Sequence, residues 1–121
     1  MGKTIMVIDD SATLREIVGT TLKKSGYTVI EAKDGKEAIS KLAGKIHLII
    51  CDINMPVMDG ITFLKELKKN AAYKFTPTIM LTTESQDAKK QEGKEAGAKA
   101  WIVKPFKPEI LLAAIEKLIL P

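Results

Sequence analysis

The chain has 121 residues, 45% of them hydrophobic and 28% charged, with a formal net charge of +4, which excludes a disordered or collagen-like polymer and suffices for one core-forming domain. A single cysteine, Cys51, and a single histidine, His47, argue against an internal disulfide, zinc fingers, His-rich metal centres and Ser-His-Asp or Cys-His catalysis. The apolar runs fall far short of the roughly 20 residues that span a bilayer, the lysines are scattered without interleaved aromatics, and Met1-Gly2-Lys3 runs into a strand-like segment with no signal peptide. The expectation is a cytoplasmic protein with no membrane insertion and no DNA binding.

In chain order, Thr4 to Asp9 is β-branched and continuously apolar until it ends in acid, as a parallel strand buried on both faces requires. Leu14, Ile17, Val18 and Leu22 then recur at helical spacing, with Asp10 or Ser11 as N-cap and Gly26 at the left-handed C-terminal position. Thr28 to Ala32 repeats the strand pattern. Asp34 with Glu37 opens a second helix whose stripe is Ala38, Ile39 and Leu42, ended by Gly44. His47 to Asp52 is a third strand, with His47 at the surface and Cys51 packed as a small apolar group. Asp59-Gly60 turns into a third helix carrying Ile61, Leu64 and Leu67, with Phe63 and Met80 in the core.

Thr78 to Thr82 and Ala100 to Lys104 are the remaining strands. Between them, Gln86 to Ala96 has helical spacing but only Ala88 and Ala96 as apolar anchors, a weakly packed and mobile element. The last helix starts near Pro108 and is expected to bury Ile110, Leu111, Ala114, Ile115, Leu118 and Ile119. Strict alternation of strands and helices predicts an α/β fold, a five-stranded parallel sheet with helices on both faces. No long linker or repeat appears, so one domain over residues 1–121 with no output domain is expected.

In such a sheet the binding crevice lies outside the carboxyl ends of the strands, where Asp9, Asp10 and Asp52 fall. Two carboxylates ~4 Å apart repel by about 4 kcal/mol at an effective dielectric near 20, so the cluster should recruit a cation or raise a pKa. Mg2+ suits an all-oxygen set completed by water and phosphate, and calcium's Asp-rich loop is absent. Thr82 and Lys104 arrive at the same edge with a hydroxyl and an ammonium, both fit for phosphate, and Pro105 keeps Lys104 extended. A carboxylate nucleophile, a divalent ion, a hydroxyl and a lysine describe phosphoryl transfer to an aspartate. Asp52 is the better nucleophile, while paired Asp9 and Asp10 read as metal holders and the main-chain carbonyl of Asn54 as a further ligand.

Val7-Ile8-Asp9-Asp10-Ser11, Ile50-Cys51-Asp52-Ile53-Asn54-Met55-Pro56-Val57-Met58-Asp59-Gly60, Leu81-Thr82-Thr83 and Val103-Lys104-Pro105-Phe106 together resemble the signature of response-regulator receiver domains, in particular the stand-alone regulators of chemotaxis. The match runs from Thr4 to Leu120. The resemblance implies a doubly wound, flavodoxin-like sheet of strand order 2-1-3-4-5 and a regulatory phosphoacceptor rather than an enzyme. It implies that Asp52 takes phosphate from a sensor histidine kinase, with Mg2+ held by Asp10, Asp52 and the Asn54 carbonyl and with Asp9 acting through water. It further implies that Thr82 moves to the phosphoryl group, that Lys104 pairs with it, and that Lys104-Pro105 is cis. Trp101 stands where the family usually has Tyr or Phe as the aromatic that turns inward, and a bulkier ring is expected to switch incompletely. Asn54 and Glu84 occupy positions that set phosphate lifetime.

The phosphoryl charge is expected to reposition Thr82 and the loop behind it. Helix four, strand five and helix five then form an output face on which Lys89, Lys90, Lys94, Lys99 and Lys107 invite an acidic partner, a flagellar motor switch or other downstream protein. A phosphatase is a further partner, and the protein is expected to be a monomer. Three other readings compete. A flavin carrier is opposed by the Asp9-Asp10 charge, and an aspartyl-phosphate phosphatase by Asn54 where a second acid is needed and by the absence of a cap insertion. A phosphorelay shuttle is the alternative role within the family.

Overall fold

The structure, a computed structural model, describes residues 2–83 and 87–121, and their side chains except those of 87–89. In chain order the elements are β1 (Thr4–Ile8), α1 (Ala12–Lys24), β2 (Thr28–Ala32), α2 (Gly35–Ser40), β3 (Leu48–Asp52), α3 (Gly60–Lys68), β4 (Thr78–Thr82), α4 (Asp87–Glu95), β5 (Ala100–Val103) and α5 (Pro108–Leu118). The strands form one sheet in the order β2-β1-β3-β4-β5, every pairing parallel. The chain therefore starts in the middle of the sheet, winds outward to β2, then crosses back over β1 to β3. That reversal opens a crevice at the carboxyl ends of β1 and β3.

Burial follows position in the sheet. β3 and β4 are buried at every residue, as their unbroken apolar sequences require. β2 lies at an edge and is only partly covered, so Thr28 to Ala32 is not buried on both faces as its composition alone predicts. Alternation along the strands divides the core in two. Met6, Ile8, Ile49, Cys51 and Met80 face Phe63, Leu64 and Leu67 of α3. Ile5, Val7, Ile50, Ile79 and Leu81 face Val18 and Leu22 of α1 and Leu111 and Ile115 of α5. Each fully buried large side chain removes enough apolar surface from water to contribute about 1.5–3 kcal/mol.

The helix starts carry their own stop and start signals. Ser11, not Asp10, caps α1: its Oγ accepts the Leu14 N–H at 3.2 Å. Asp34 and Asp59 cap α2 and α3 by accepting the amides of Glu37 and Thr62, each at 2.8 Å. Glu37 returns a carboxylate oxygen to the Lys33 amide at 3.0 Å. Helix α2 is shorter than its apolar pattern predicts and ends before Leu42, leaving Ile39 at the surface. Ile110, expected to be buried, is 56% exposed, as is Ile17 of the α1 stripe, and Ala114, Leu118 and Ile119 are only partly buried. The physical reason is that α1 and α5 form an outer layer. Each helix offers an apolar stripe wider than its contact with the sheet, and the surplus is left toward solvent.

Candidate functional site

Asp9 follows the last residue of β1, and Asp52 is the last residue of β3. Both are almost fully buried, whereas Asp10 is exposed. One carboxylate oxygen from each of the three lies within 4.8 Å of the others. The Ser11 amide donates to Asp9 Oδ1 at 2.8 Å. Lys104 Nζ reaches Asp9 Oδ2 at 3.4 Å and Asp52 Oδ1 at 3.2 Å, with only 15% of its side chain exposed. The ammonium therefore offsets part of the repulsion between the two buried acids and leaves their cluster net negative.

The consequence falls on Asp52. Burial pushes its carboxyl up to about 6, the charge of Asp9 adds to the rise, Lys104 opposes it, and Asp10 raises it further. Oxygen-only donors gathered this closely, two of them shielded from water, fit a small hard cation such as Mg2+. Cys51 is no part of that set. Its thiol donates to the Asp52 carbonyl at 3.3 Å, packs in the core on the α3 side of the sheet, and is raised well above its usual range by burial and by the charges of Asp52, Asp9 and Asp59.

The other expected site residues take their positions from the sheet. Thr82 ends β4 and is fully buried, and its carbonyl accepts the Lys104 amide at 2.6 Å, extending the β4–β5 ladder to the lysine. The Lys104–Pro105 peptide bond is cis. Asn54 lies exposed in the loop after β3. Glu84 lies outside the described residues, as do Gln86 and the side chain of Lys89. Trp101 on β5 is half-buried against the α3-side core, and its Nε1 is buried with no hydrogen-bond partner among the described residues. Its ring lies over α4, where a Cβ built on Gly93 would sit 2.5 Å from Cζ3. Lys90, Lys94 and Lys99 line a hollow of about 220 Å3 beside it. Lys107 is exposed at the start of α5. His47, expected at the surface to begin β3, instead precedes that strand, half-buried, and its Nδ1 accepts the Thr4 amide at 3.0 Å.

Three features escape a reading of the sequence. Gly60 is more than the turn its Asp-Gly pair announces: a Cβ there would lie 2.1 Å from the Asp52 carbonyl oxygen, so only glycine lets α3 begin directly beneath Asp52. Val57 holds φ at 70°, a left-handed conformation that is strained for a β-branched side chain. An apolar groove of about 440 Å3 runs beside Lys104, lined by Leu14, Ile17, Pro105, Phe106 and Leu111, and accounts for the exposure of Ile17. Its α1 side chains share the spacing of core residues, so periodicity carries no signal that separates groove from core.

Residues 5–116 match the family described as the response regulator receiver domain. Protein PilG of Pseudomonas aeruginosa is 42% identical over 116 residues, covering 95% of this chain and 86% of that protein. Chemotaxis protein CheY1 of Helicobacter pylori is 39% identical over 115 residues, 93% of each chain. Among solved structures, chemotaxis protein CheY4 of Vibrio cholerae superposes with a TM-score of 0.93 at 45% identity, covering 98% of this chain and 99% of that one. Among the described residues, no helix is long and apolar enough to cross a membrane.

Proposed function

Since this chain belongs to the response regulator receiver domain family, a family of regulatory proteins, we propose that Asp52 is its phosphoacceptor in chemotaxis-type signalling and that a sensor histidine kinase is the donor. The observation that carries this reading is the placement of Asp52: buried at the end of a central strand, within 4.8 Å of two other acids and 3.2 Å from the Lys104 ammonium. Asp10, Asp52 and the main-chain carbonyl of Asn54 would hold Mg2+, and Asp9 would act on it indirectly. The bound ion supplies positive charge that keeps Asp52 ionised and offsets charge on the phosphoryl oxygens.

The chain's own residues do the rest. Asp52 attacks phosphorus with a carboxylate oxygen, forming the acyl phosphate as the P–N bond to the donor histidine breaks and its electron pair returns to the imidazole nitrogen. Lys104 leaves its ion pair with Asp52 for the incoming phosphoryl oxygens. Thr82 donates its hydroxyl to the same group, and the change propagates through the following loop to α4, β5 and Trp101. The output face is then α4, β5 and α5, with Lys90, Lys94, Lys99 and Lys107 meeting an acidic surface on a flagellar motor switch or other downstream protein. A phosphatase can return the monomeric, cytoplasmic protein to its unmodified state.

Intact mass after treatment with acetyl phosphate and Mg2+ tests the chemistry. The expected result is one hydroxylamine-labile phosphoryl adduct on the wild type and none on Asp52→Ala. An adduct that persists on Asp52→Ala rejects Asp52 as acceptor.

A further inference from the structure

The β1–α1 loop carries two of the three clustered acids, and its main chain is gripped from both sides. The Asp9 amide donates to the Ala32 carbonyl of β2 at 3.1 Å. On the other side, Arg15 of α1 sends Nη1 to the Asp9 carbonyl oxygen at 2.5 Å, while its Nε lies 3.5 Å from Glu31 Oε1 on β2. The Arg15 side chain is 18% exposed and that of Glu31 41%, so the bridge is largely shielded at its Arg15 end. A planar fork with several donors can hold a carbonyl and a carboxylate at once, which an ammonium cannot do in the same geometry.

The held carbonyl has a direct geometric consequence. The Asp9 C=O and the Asp10 N–H belong to one rigid peptide plane. Fixing that plane fixes the Asp10 N–Cα bond and so leaves φ and the side-chain torsions as the only freedoms that aim its carboxylate; Asp10 is the exposed member of the acid cluster, without the burial that holds Asp9 and Asp52. We propose that Arg15 is a positioning residue that, through the Asp9 carbonyl, aims the Asp10 carboxylate at Asp52 and so builds the Mg2+ site. This inference rests on the metal site of the function proposed above.

Charge and position predict opposite signs. If Arg15 acted only as a nearby cation, its removal would tighten binding of a divalent cation, whereas loss of an outer support for a ligand weakens metal affinity by about tenfold or more. Isothermal titration of Mg2+ into the wild type, Arg15→Met, Arg15→Lys and Asp52→Asn, with melting curves in chelator, separates the two. The expected outcome is an affinity about tenfold weaker in Arg15→Met, a smaller weakening in Arg15→Lys, which keeps the charge without the fork, and melting in chelator close to wild type for both.

Affinity equal to or tighter than wild type in Arg15→Met overturns the proposal. So does a lowered melting temperature in chelator combined with wild-type affinity in Arg15→Lys, which makes Arg15 a structural tie and nothing more. No saturable binding by the wild type, or no weakening in Asp52→Asn, overturns the functional reading and this inference with it. Wild-type binding lost in Asp52→Asn but untouched in Arg15→Met sinks this inference alone.

Discussion

The two ends of the crevice are built by different means. At the β1–β3 end, Asp9 is tied through its amide, its carbonyl and both carboxylate oxygens, and Asp52 sits on a Gly60 contact that admits no side chain. At the α4–β5 end, α4 meets Trp101 through Gly93, the indole nitrogen lacks a partner among the described residues, and lysines line the adjoining hollow. Dense tethering holds charged groups in a repulsive arrangement that water would otherwise dissolve. An α4 that has no large aliphatic residue and meets β5 at the Trp101 ring is an element whose position a modest free energy can change. The β1–β3 end is thus suited to holding charged groups in place and the α4–β5 end to shifting, which under the proposed function makes the first the seat of the chemistry and the second its reporter.

Substitutions at the two ends should therefore differ in what they disturb. The largest effect is expected at Gly60. Gly60→Ala drives a methyl group into the Asp52 carbonyl and Met80, costing about 3 kcal/mol in urea unfolding and slowing phosphorylation of what remains folded. Wild-type stability in this variant breaks the claim that the acceptor end is the rigid one.

Next is Asp52 itself. Its carboxyl titrates near 6 in the folded protein against 3.8 in the unfolded chain, so the folded state binds that proton more tightly. The stabilisation is complete below about pH 4 and is lost as the pH rises through about 6. Asp52→Asn should accordingly stabilise Mg2+-free protein at pH 7 by up to about 3 kcal/mol, with no gain below about pH 4. A gain independent of pH would trace to packing rather than to charge. Saturating Mg2+ should erase most of the difference by stabilising the wild type alone.

The smallest effect on stability, and the one that sharpens the contrast, lies at the other end. Exchanging Lys94 and Lys99 for Glu should change unfolding free energy by less than about 0.5 kcal/mol, as exposed substitutions generally do. The same exchange should weaken capture of the acidic downstream partner and steepen its loss with salt. Unchanged capture rejects the basic output face.

Much of this molecule is legible in its sequence because its signals are local. Strand runs ending in acid, Asp34 with Glu37, Asp59 before Gly60, and Gly26 at φ +93° each act over a few residues, and the strands and caps stand where those residues predict. The motifs at Asp9-Asp10, Asp52, Thr82 and Lys104 also specify the strand edge on which the site forms, since all lie at the carboxyl ends of strands in a parallel sheet.

What tertiary structure alone decided depends on partners distant in the chain. It placed β2 at an edge and left Ile17 facing a groove rather than the core, which an apolar stripe cannot reveal because core and groove demand the same spacing. It chose Ser11 over Asp10 as the α1 cap, leaving the Asp10 carboxylate with the acid cluster. It brought Arg15 to a carbonyl at the end of β1 and to a carboxylate on β2, and Gly93 under Trp101. Composition and periodicity report what a residue prefers to touch; only the folded chain determines which residues are close enough to be touched.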